Sequence, residues 1–254
     1  MHTATKGLVL RDVDYKESDK ILTILTQEQG KLTATARGCR RRNSQLTAGC
    51  QLLCWSEFVL YDYHGQWMVK EATSLRQFSG LRSDLEKLAL GCYFAEVTQL
   101  LAVEGLPSPE LLSLVLYCLH GLDQLKKPLV QIKAAFELKA MCLAGYEPLL
   151  DGCAVCGVDT PQQPSFHLRE GVLHCAKCRE EVGDGISMPL EGQALAGARH
   201  IVYGDPKRLF SFQGDPEALR QLGDVAEAYL HTQLERGFHT LDFYKQVSQP
   251  GSRV

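Results

Sequence analysis

Residues 1–80 carry short apolar runs broken by turn residues. Gly7-Leu-Val-Leu-Arg11, Ile21-Leu-Thr-Ile-Leu-Thr26 and Leu32-Thr-Ala-Thr-Ala36 are rich in branched side chains, and Gln27-Glu-Gln-Gly30 turns the chain between two of them. A longer run from Gln51 to Tyr63 follows, then a turn at His64-Gly65-Gln66 and the run Trp67-Met-Val-Lys-Glu71. Parity within the long run puts Leu52, Cys54, Phe58 and Leu60 on one face, the expected core face. Trp55, Val59, Tyr61 and Tyr63 share the other. Five strands in about 75 residues with tight turns predict a small closed or nearly closed barrel.

From residue 83 the apolar period lengthens from two to between three and four. Ser83-Asp-Leu-Glu86 has the form of a capping box, and Leu85, Leu88, Cys92, Ala95 and Gln99/Leu100 mark the stripe of the helix it opens. Ser108-Pro109 predicts a second helix with proline in its first turn. A third runs from Leu129 to Ala144, with Gly145 as its C-cap and Pro148 just beyond. A final amphipathic helix starts at Asp215-Pro216, carries Leu219, Leu222, Ala226, Tyr229/Leu230 and His231/Leu234, and stops at Gly237. The tail Pro250-Gly-Ser-Arg-Val254 is expected to fray. The segments divide as 1–80, 81–150, 151–180 and 181–254.

Between the helical stretches lie two thiol pairs, Cys153-Ala-Val-Cys156 and Cys175-Ala-Lys-Cys178, with 18 residues between them. That spacing is a zinc-ribbon spacing. Two residues between thiols let both sulfurs of a pair face one ion, and the second pair completes a tetrahedron. Four thiolates leave no open coordination position, so one Zn2+ there is structural. Gly152 and Gly157 suit the tight knuckle. A redox CxxC is the competing reading, but such pairs sit at a strand-to-helix junction and none is evident. His167 and His174 lie between the pairs and are alternative ligands. The other six cysteines, Cys39, Cys50, Cys54, Cys92, Cys118 and Cys142, show no pairing pattern and read as small apolar fillers in a reducing compartment.

Charge adds an asymmetry. The 254 residues carry a net charge of −3, but residues 1–80 hold 11 basic and 8 acidic residues, a balance of +3. Much of this excess sits in Lys31, Arg37, Arg40, Arg41 and Arg42, a stretch without an acid. Clustered cations on a barrel loop attract phosphates and predict a DNA contact; a merely solvated loop is the alternative. Trp55, Tyr61, Tyr63 and Trp67 either stack on bases or pack the barrel, and packing is the usual role of strand aromatics. Asp12, Asp14, Glu17 and Asp19 interleave with Arg11, Lys16 and Lys20 and read as a mixed-charge turn. No P-loop, GxGxxG, GxSxG or HExxH is present, so the expectation is a non-enzyme. The N-terminus lacks a signal-peptide core and no apolar run is long enough for a bilayer, which predicts a cytoplasmic protein.

Several of these segments together resemble a known family. Gly7 to Arg11, Tyr15-Lys-Glu-Ser-Asp-Lys20, Leu25-Thr-Gln-Glu-Gln-Gly-Lys31 and Ala36-Arg-Gly-Cys-Arg-Arg-Arg42 resemble the N-terminal signature of the RecO family of bacterial recombination mediators. Tyr93-Phe-Ala-Glu96, Phe136-Glu-Leu-Lys139, Gly145-Tyr-Glu-Pro148 and Cys153-Ala-Val-Cys-Gly157 resemble its helical and zinc segments. Where the family shows Pro-Phe after the basic loop, this chain has Cys54-Trp55. The resemblance implies an α+β multidomain fold: an N-terminal OB-fold barrel and a helical domain with an inserted four-cysteine zinc ribbon. It also implies binding of single- and double-stranded DNA, strand annealing, and help in loading recombinase onto DNA covered by single-stranded-DNA-binding protein, in the bacterial cytoplasm at the nucleoid. Two protein partners are implied: a RecR-type mediator and the acidic C-terminal tail of the single-stranded-DNA-binding protein. Such a tail needs an apolar pocket rimmed by cations, and Lys133, Phe136 and Lys139, with Lys126, Lys127, Ile132 and Leu143 nearby, are the expected site. The rival readings are a zinc-ribbon interaction module without DNA affinity and a zinc-braced deacylase or transferase. The latter would require a dinucleotide site that the N-terminus lacks.

Overall fold

The computed structural model describes residues 2–180 and 185–248, so the tail expected to fray lies outside the described residues. By proximity the chain forms two compact units, one of residues 1–125 with the segment from 238, the other of residues 126–237.

In the first unit all five predicted strands form: β1 (His2–Tyr15), β2 (Asp19–Thr26), β3 (Gly30–Ala36), β4 (Trp55–Tyr63) and β5 (Gln66–Arg76). They close a barrel in the order β1-β2-β3-β5-β4. β1 serves both neighbours, pairing with β4 from His2 to Leu8 and with β2 from Gly7 to Tyr15. Gly7 sits at the change-over, where an added Cβ would stand 2.5 Å from a methyl carbon of Ile24. The inward faces bury Val9, Leu22, Ile24, Leu32, Ala34, Phe58, Leu60 and Val69. Cys39 and Cys50, from the long β3–β4 connection, complete this core.

The run from Gln51 becomes strand only at Trp55; Leu52 is half-buried outside the core, while Cys54 is buried as parity predicts. The β4–β5 register slips between Trp55 and Ser56, beside the Cys54-Trp55 departure. Trp67 packs against the barrel core and is a packing residue.

Helices α1 (Ser79–Arg82), α2 (Leu85–Leu101), α3 (Pro109–Gln124) and the last helix, α8 (His239–Ser248), join this unit. The cap of α2 is Asp84, not Ser83: its carboxylate accepts from the Glu86 and Lys87 backbone N–H groups at 3.0 and 3.2 Å. The expected stripe is also displaced. Ala89, Leu90, Tyr93, Phe94 and Val97 are buried, whereas Leu85 and Leu100 are exposed. β1, α3 and α8 all pack on α2, and an arc covered from three directions blurs a single stripe. The sequence reading missed α8, which buries only Leu241 and Tyr244 along its length. Glu96 of α2 fixes its start by accepting from the Thr240 backbone N–H and hydroxyl.

The second unit holds α4 (Leu129–Leu143), β6 (Leu149–Cys153), β7 (Ser165–His167), β8 (Val172–His174), α5 (Ala176–Arg179), β9 (Ser187–Pro189), α6 (Gly192–Tyr203) and α7 (Pro216–Leu234). Its small sheet runs β6-β8-β7-β9. Asp215 caps α7 as predicted, accepting from the Ala218 N–H at 2.8 Å. α6 was not predicted. Its contact face is built on small residues, and a Cβ at Gly197 would lie 3.1 Å from Leu222 and Phe212.

The peptide site expected on α4 is corrected here. Phe136 is fully buried and Lys133 is 5% exposed. The Lys133 ammonium lies 2.8 Å from a Glu137 carboxylate oxygen and 2.7 Å from Glu227 of α7. Lys139 donates to the Val202 carbonyl at 3.0 Å, near the end of α6. α6 and α7 both pack on α4, so the stripe of α4 that reads as a surface is an internal seam.

Burial alone would lower the Lys133 pKa, but Glu137 and Glu227 outweigh it and hold it above the ordinary 10.5. The folded state therefore grips this proton more tightly than the unfolded chain does. The contribution is fully present below 10.5 and fades only as pH rises through the folded value. Lys133→Met, which removes the ammonium from between Glu137 and Glu227, should destabilise the chain by about 3–5 kcal/mol at pH 7. Chemical denaturation followed by far-UV circular dichroism checks this; a loss below about 1 kcal/mol would mean that the triad does not hold the α4–α7 seam.

Candidate metal centre and nucleic-acid interface

β6 delivers Cys153 into a knuckle. The Cys153 N–H donates to the Val158 carbonyl at 3.0 Å, and the Gly157 N–H returns to the Cys153 carbonyl at 2.9 Å. Gly157 has φ +70°, a region that favours glycine, and Gly152 solves a different problem. A Cβ at Gly152 would stand 2.7 Å from the Val158 carbonyl oxygen. Cys175 follows β8 and Cys178 sits in α5, so the second pair does occupy a strand-to-helix junction that the sequence does not reveal; convergence with the first pair is what favours a metal over a redox site.

The four sulfurs lie within 4.8 Å of one another. Cys156 Sγ and Cys175 Sγ are 3.9 Å apart, close to the edge of about 3.8 Å for a tetrahedron with metal–sulfur bonds of about 2.3 Å. The Cys175 N–H donates to Cys153 Sγ at 3.3 Å, the outer hydrogen bond that a metal-bound thiolate needs. These residues fit a tetrahedral metal ion. His167 and His174 are buried and meet edge to face at 5.8 Å, outside the sulfur cluster. Burial pushes the Cys153 thiol up, but backbone N–H groups of Cys156, Cys175 and Val155 outweigh it and bring it down to about 6. Sharing a proton with Cys175, together with burial, drives Cys178 up to about 12. The set is thus partly charged before any ion arrives.

The barrel holds the second site. Arg37 follows the end of β3, and the 37–54 connection folds back through successive turns. The Gly38 N–H donates to the Asp19 carboxylate at 2.7 Å, the Arg40 N–H to the Ser18 carbonyl at 2.9 Å, and Thr47 Oγ1 to the Cys39 carbonyl at 2.6 Å. With Cys39 and Cys50 in the core, the loop is anchored at both ends. Arg37 and Arg41 wall two adjoining clefts of about 610 and 570 Å3. Lys70, Glu71 and the polar residues Asn43, Ser44 and Gln45 complete the larger one. Lys16, Glu17 and Asp19 line the smaller.

The five predicted cations separate. Arg37 and Arg41 share the clefts. Arg42 is exposed, and among the described residues neither it nor Arg41 makes an ion pair. Arg40 pairs with Asp14 at 3.0 Å and donates to the Glu17 carbonyl. Lys31 leaves the group altogether. It sits at the other end of β3, about 20 Å from Arg37 by strand rise. Its ammonium donates to the Gln99 carbonyl at 2.8 Å, a cation at the C-terminal end of α2. Lys70 joins the cluster without any local sequence signal. The parallel pairing of Thr35 with Met68, continued two residues, brings position 70 beside position 37. The acidic patch is taken up by the same scaffold: Asp12 pairs with Lys20, Asp14 with Arg40, and Asp19 holds Gly38.

Comparison with known proteins agrees with this architecture. The family model described as "Recombination protein O N terminal" matches residues 1–78, and "Recombination protein O C terminal" matches residues 82–242. A protein named DNA repair protein RecO from Acetivibrio thermocellus is 32% identical over 245 residues, covering 96% of this chain and 97% of its own. Proteins of the same name from Alkaliphilus metalliredigens and Geobacter metallireducens are each 30% identical, over 96% of this chain and 98% of theirs. Fold, thiol site and relatives together define a DNA-repair protein built on an OB-like barrel. Among the described residues no helix is long and apolar enough to cross a membrane. The chain belongs to the RecO family.

Metal capture at the knuckle requires thiolates, so protons compete with the ion. Affinity for a divalent thiophilic ion should fall as pH drops from about 8 to about 6, and uptake at neutral pH should release protons, those of Cys178 among them. Chelator competition across pH checks this. Gly152→Ala should weaken the same affinity at least tenfold by pushing Val158 off the knuckle, and unchanged affinity would separate the knuckle from the site.

Proposed function

We propose that this RecO-family chain is a non-enzymatic mediator of DNA repair and recombination. It binds single- and double-stranded DNA on the barrel, anneals complementary strands, and helps load recombinase onto DNA covered by single-stranded-DNA-binding protein. The observation that carries the reading is the larger cleft, where three cations, Arg37, Arg41 and Lys70, outnumber the acid Glu71, which lies 3.8 Å from the Lys70 ammonium. Cations held on an anchored loop neutralise phosphates without reading bases. Annealing requires reduced repulsion between two strands and no nucleotide hydrolysis, which suits a chain with no P-loop motif. Arg42, on the same loop, adds to the field, while Arg40 shares its charge with Asp14.

The ion read at Cys153, Cys156, Cys175 and Cys178 is one structural Zn2+, a reading supported by an all-thiolate tetrahedral set that suits that ion and closes its coordination sphere. It braces the ribbon. The four sulfurs take up every position, so the site offers no room for a reacting water. A RecR-type mediator and the acidic tail of single-stranded-DNA-binding protein are the partners implied by family membership, with the bacterial cytoplasm as the setting. The buried Lys133 and Phe136 are not offered as the tail's site.

Arg41→Glu with Lys70→Glu should weaken DNA binding by a similar factor for unrelated sequences. It should also flatten the slope of log affinity against log salt by about 0.7 per lost contact on single strands. Fluorescence anisotropy across salt concentrations measures both. Wild-type binding that ignores salt, or a double variant that binds normally, removes the cleft from the reading. Elemental analysis of metal-replete protein should return one zinc per chain, and Cys153→Ser with Cys156→Ser should abolish it.

A further inference from the structure

Tyr63 ends β4 on the face turned away from the barrel core and is 48% exposed. The other aromatics of β4 and β5 are used differently. Trp67 packs against the core, Trp55 is half-buried, and half-buried Tyr61 meets His2 edge-on at 5.8 Å. Tyr63 is instead held out by a tight turn in which His64 and Gly65 both take positive φ, +54° and +79°. His64 stands at 76° to its ring, 4.6 Å away.

The Arg37 guanidinium lies over the Tyr63 ring, 5.3 Å from its centroid. The same arginine walls both basic clefts with Arg41. One cation thus links an exposed aromatic ring to the phosphate-binding groove. An exposed ring beside anchored cations is the pairing that single-stranded nucleic acid requires, with bases on the ring and phosphates on the cations.

We propose that Tyr63 is the base-stacking residue of this interface: it carries one unpaired base of single-stranded DNA while Arg37 and Arg41 hold the adjoining phosphates. The proposal rests on the reading of the cleft as a DNA site and assigns its strand preference. A base inside a duplex has both faces covered by its neighbours. Only an unpaired base offers a face to Tyr63, whereas phosphates approach the arginines from either form. The ring therefore separates single from double strands, and the cations do not. During annealing, pairing would restack the carried base and withdraw it from the ring, so the finished duplex leaves more readily than its parent strands.

The test uses the full chain, a thymidine oligonucleotide and a duplex of equal length, with dissociation constants from anisotropy at several salt concentrations. Tyr63→Ala should weaken single-strand binding about 5- to 150-fold, the range for one stacked base. It should leave duplex affinity within about twofold and the salt slope unchanged, because no phosphate contact is removed. Tyr63→Phe and Tyr63→Trp should both retain single-strand binding. The tryptophan variant should gain fluorescence quenching, relative to wild type, on the single strand and not on the duplex. Tyr63→Ala binding the single strand as wild type does overturns the proposal, as does an equal loss for both DNA forms, which would make the ring a prop for Arg37. A wild type that binds neither DNA form overturns the cleft reading and this proposal together. Loss of binding in the Arg41/Lys70 variant beside a silent Tyr63→Ala overturns the stacking alone.

Discussion

Two residue pairs close the barrel: Ala34 with Trp67 and Thr35 with Met68, the short parallel seam between β3 and β5. Every other seam is antiparallel and joins strands that are neighbours in the chain or share β1. The parallel seam brings together segments about 33 residues apart, and such a contact must offset the entropy of closing that loop. Burial offsets it, since Ala34, Ala36, Val69, Cys39 and Cys50 meet in one core beside the seam. Closure also sets the functional surface. It puts the end of β3, where Arg37 begins the basic loop, beside Lys70 of β5 and within reach of Tyr63 at the end of β4.

The second unit meets a different problem, strands too short to hold one another. β7, β8 and β9 are three residues each; Phe166 and Leu173 are buried, and Cys153, Cys175 and Cys178 form a buried cluster of their own. Strands so short cannot bury enough surface to hold themselves together. Thiols converging within 4.8 Å supply what a hydrophobic core would, provided that an ion links them. The close approach at Gly152 accompanies the Cys153–Val158 backbone hydrogen bond, while the lowered Cys153 thiol comes from the N–H groups of Cys156, Cys175 and Val155 turned toward the sulfur.

Two lysines show how charge is absorbed into architecture. Lys31 and Lys133 each have a long apolar stem that lies along packed surface while the ammonium finds a fixed acceptor. Lys31 finds a helix-end carbonyl and Lys133 finds two carboxylates. Both read from the sequence as surface cations for binding, and both hold elements in place. The cations on the proposed nucleic-acid face are those with fewer fixed partners, Arg37, Arg41 and Arg42, together with Lys70, whose ammonium lies 3.8 Å from the exposed Glu71.

Some of this follows from the sequence alone because its cause is local. The paired CxxC spacing picks out the four thiols that converge, since two residues between thiols is a property of one knuckle. Alternating apolar residues and turn chemistry yield five strands, and Pro109, Gly145 and Asp215 mark helix ends through their own backbone geometry or side-chain capping. The basic loop is visible because Arg40, Arg41 and Arg42 are contiguous. Tertiary structure decided the rest. Whether Phe136 faces solvent depends on α6 and α7, which both lie far along the chain. Lys70 enters the cleft only through a parallel register, which has no local signature. Tyr63, Trp55 and Trp67 look equivalent among the strand aromatics. They part company because one ends its strand beside the turn, on the outer face, and another rests on the core. The sequence determines which chemistry is available, and closure of the barrel decides which side chains meet to use it.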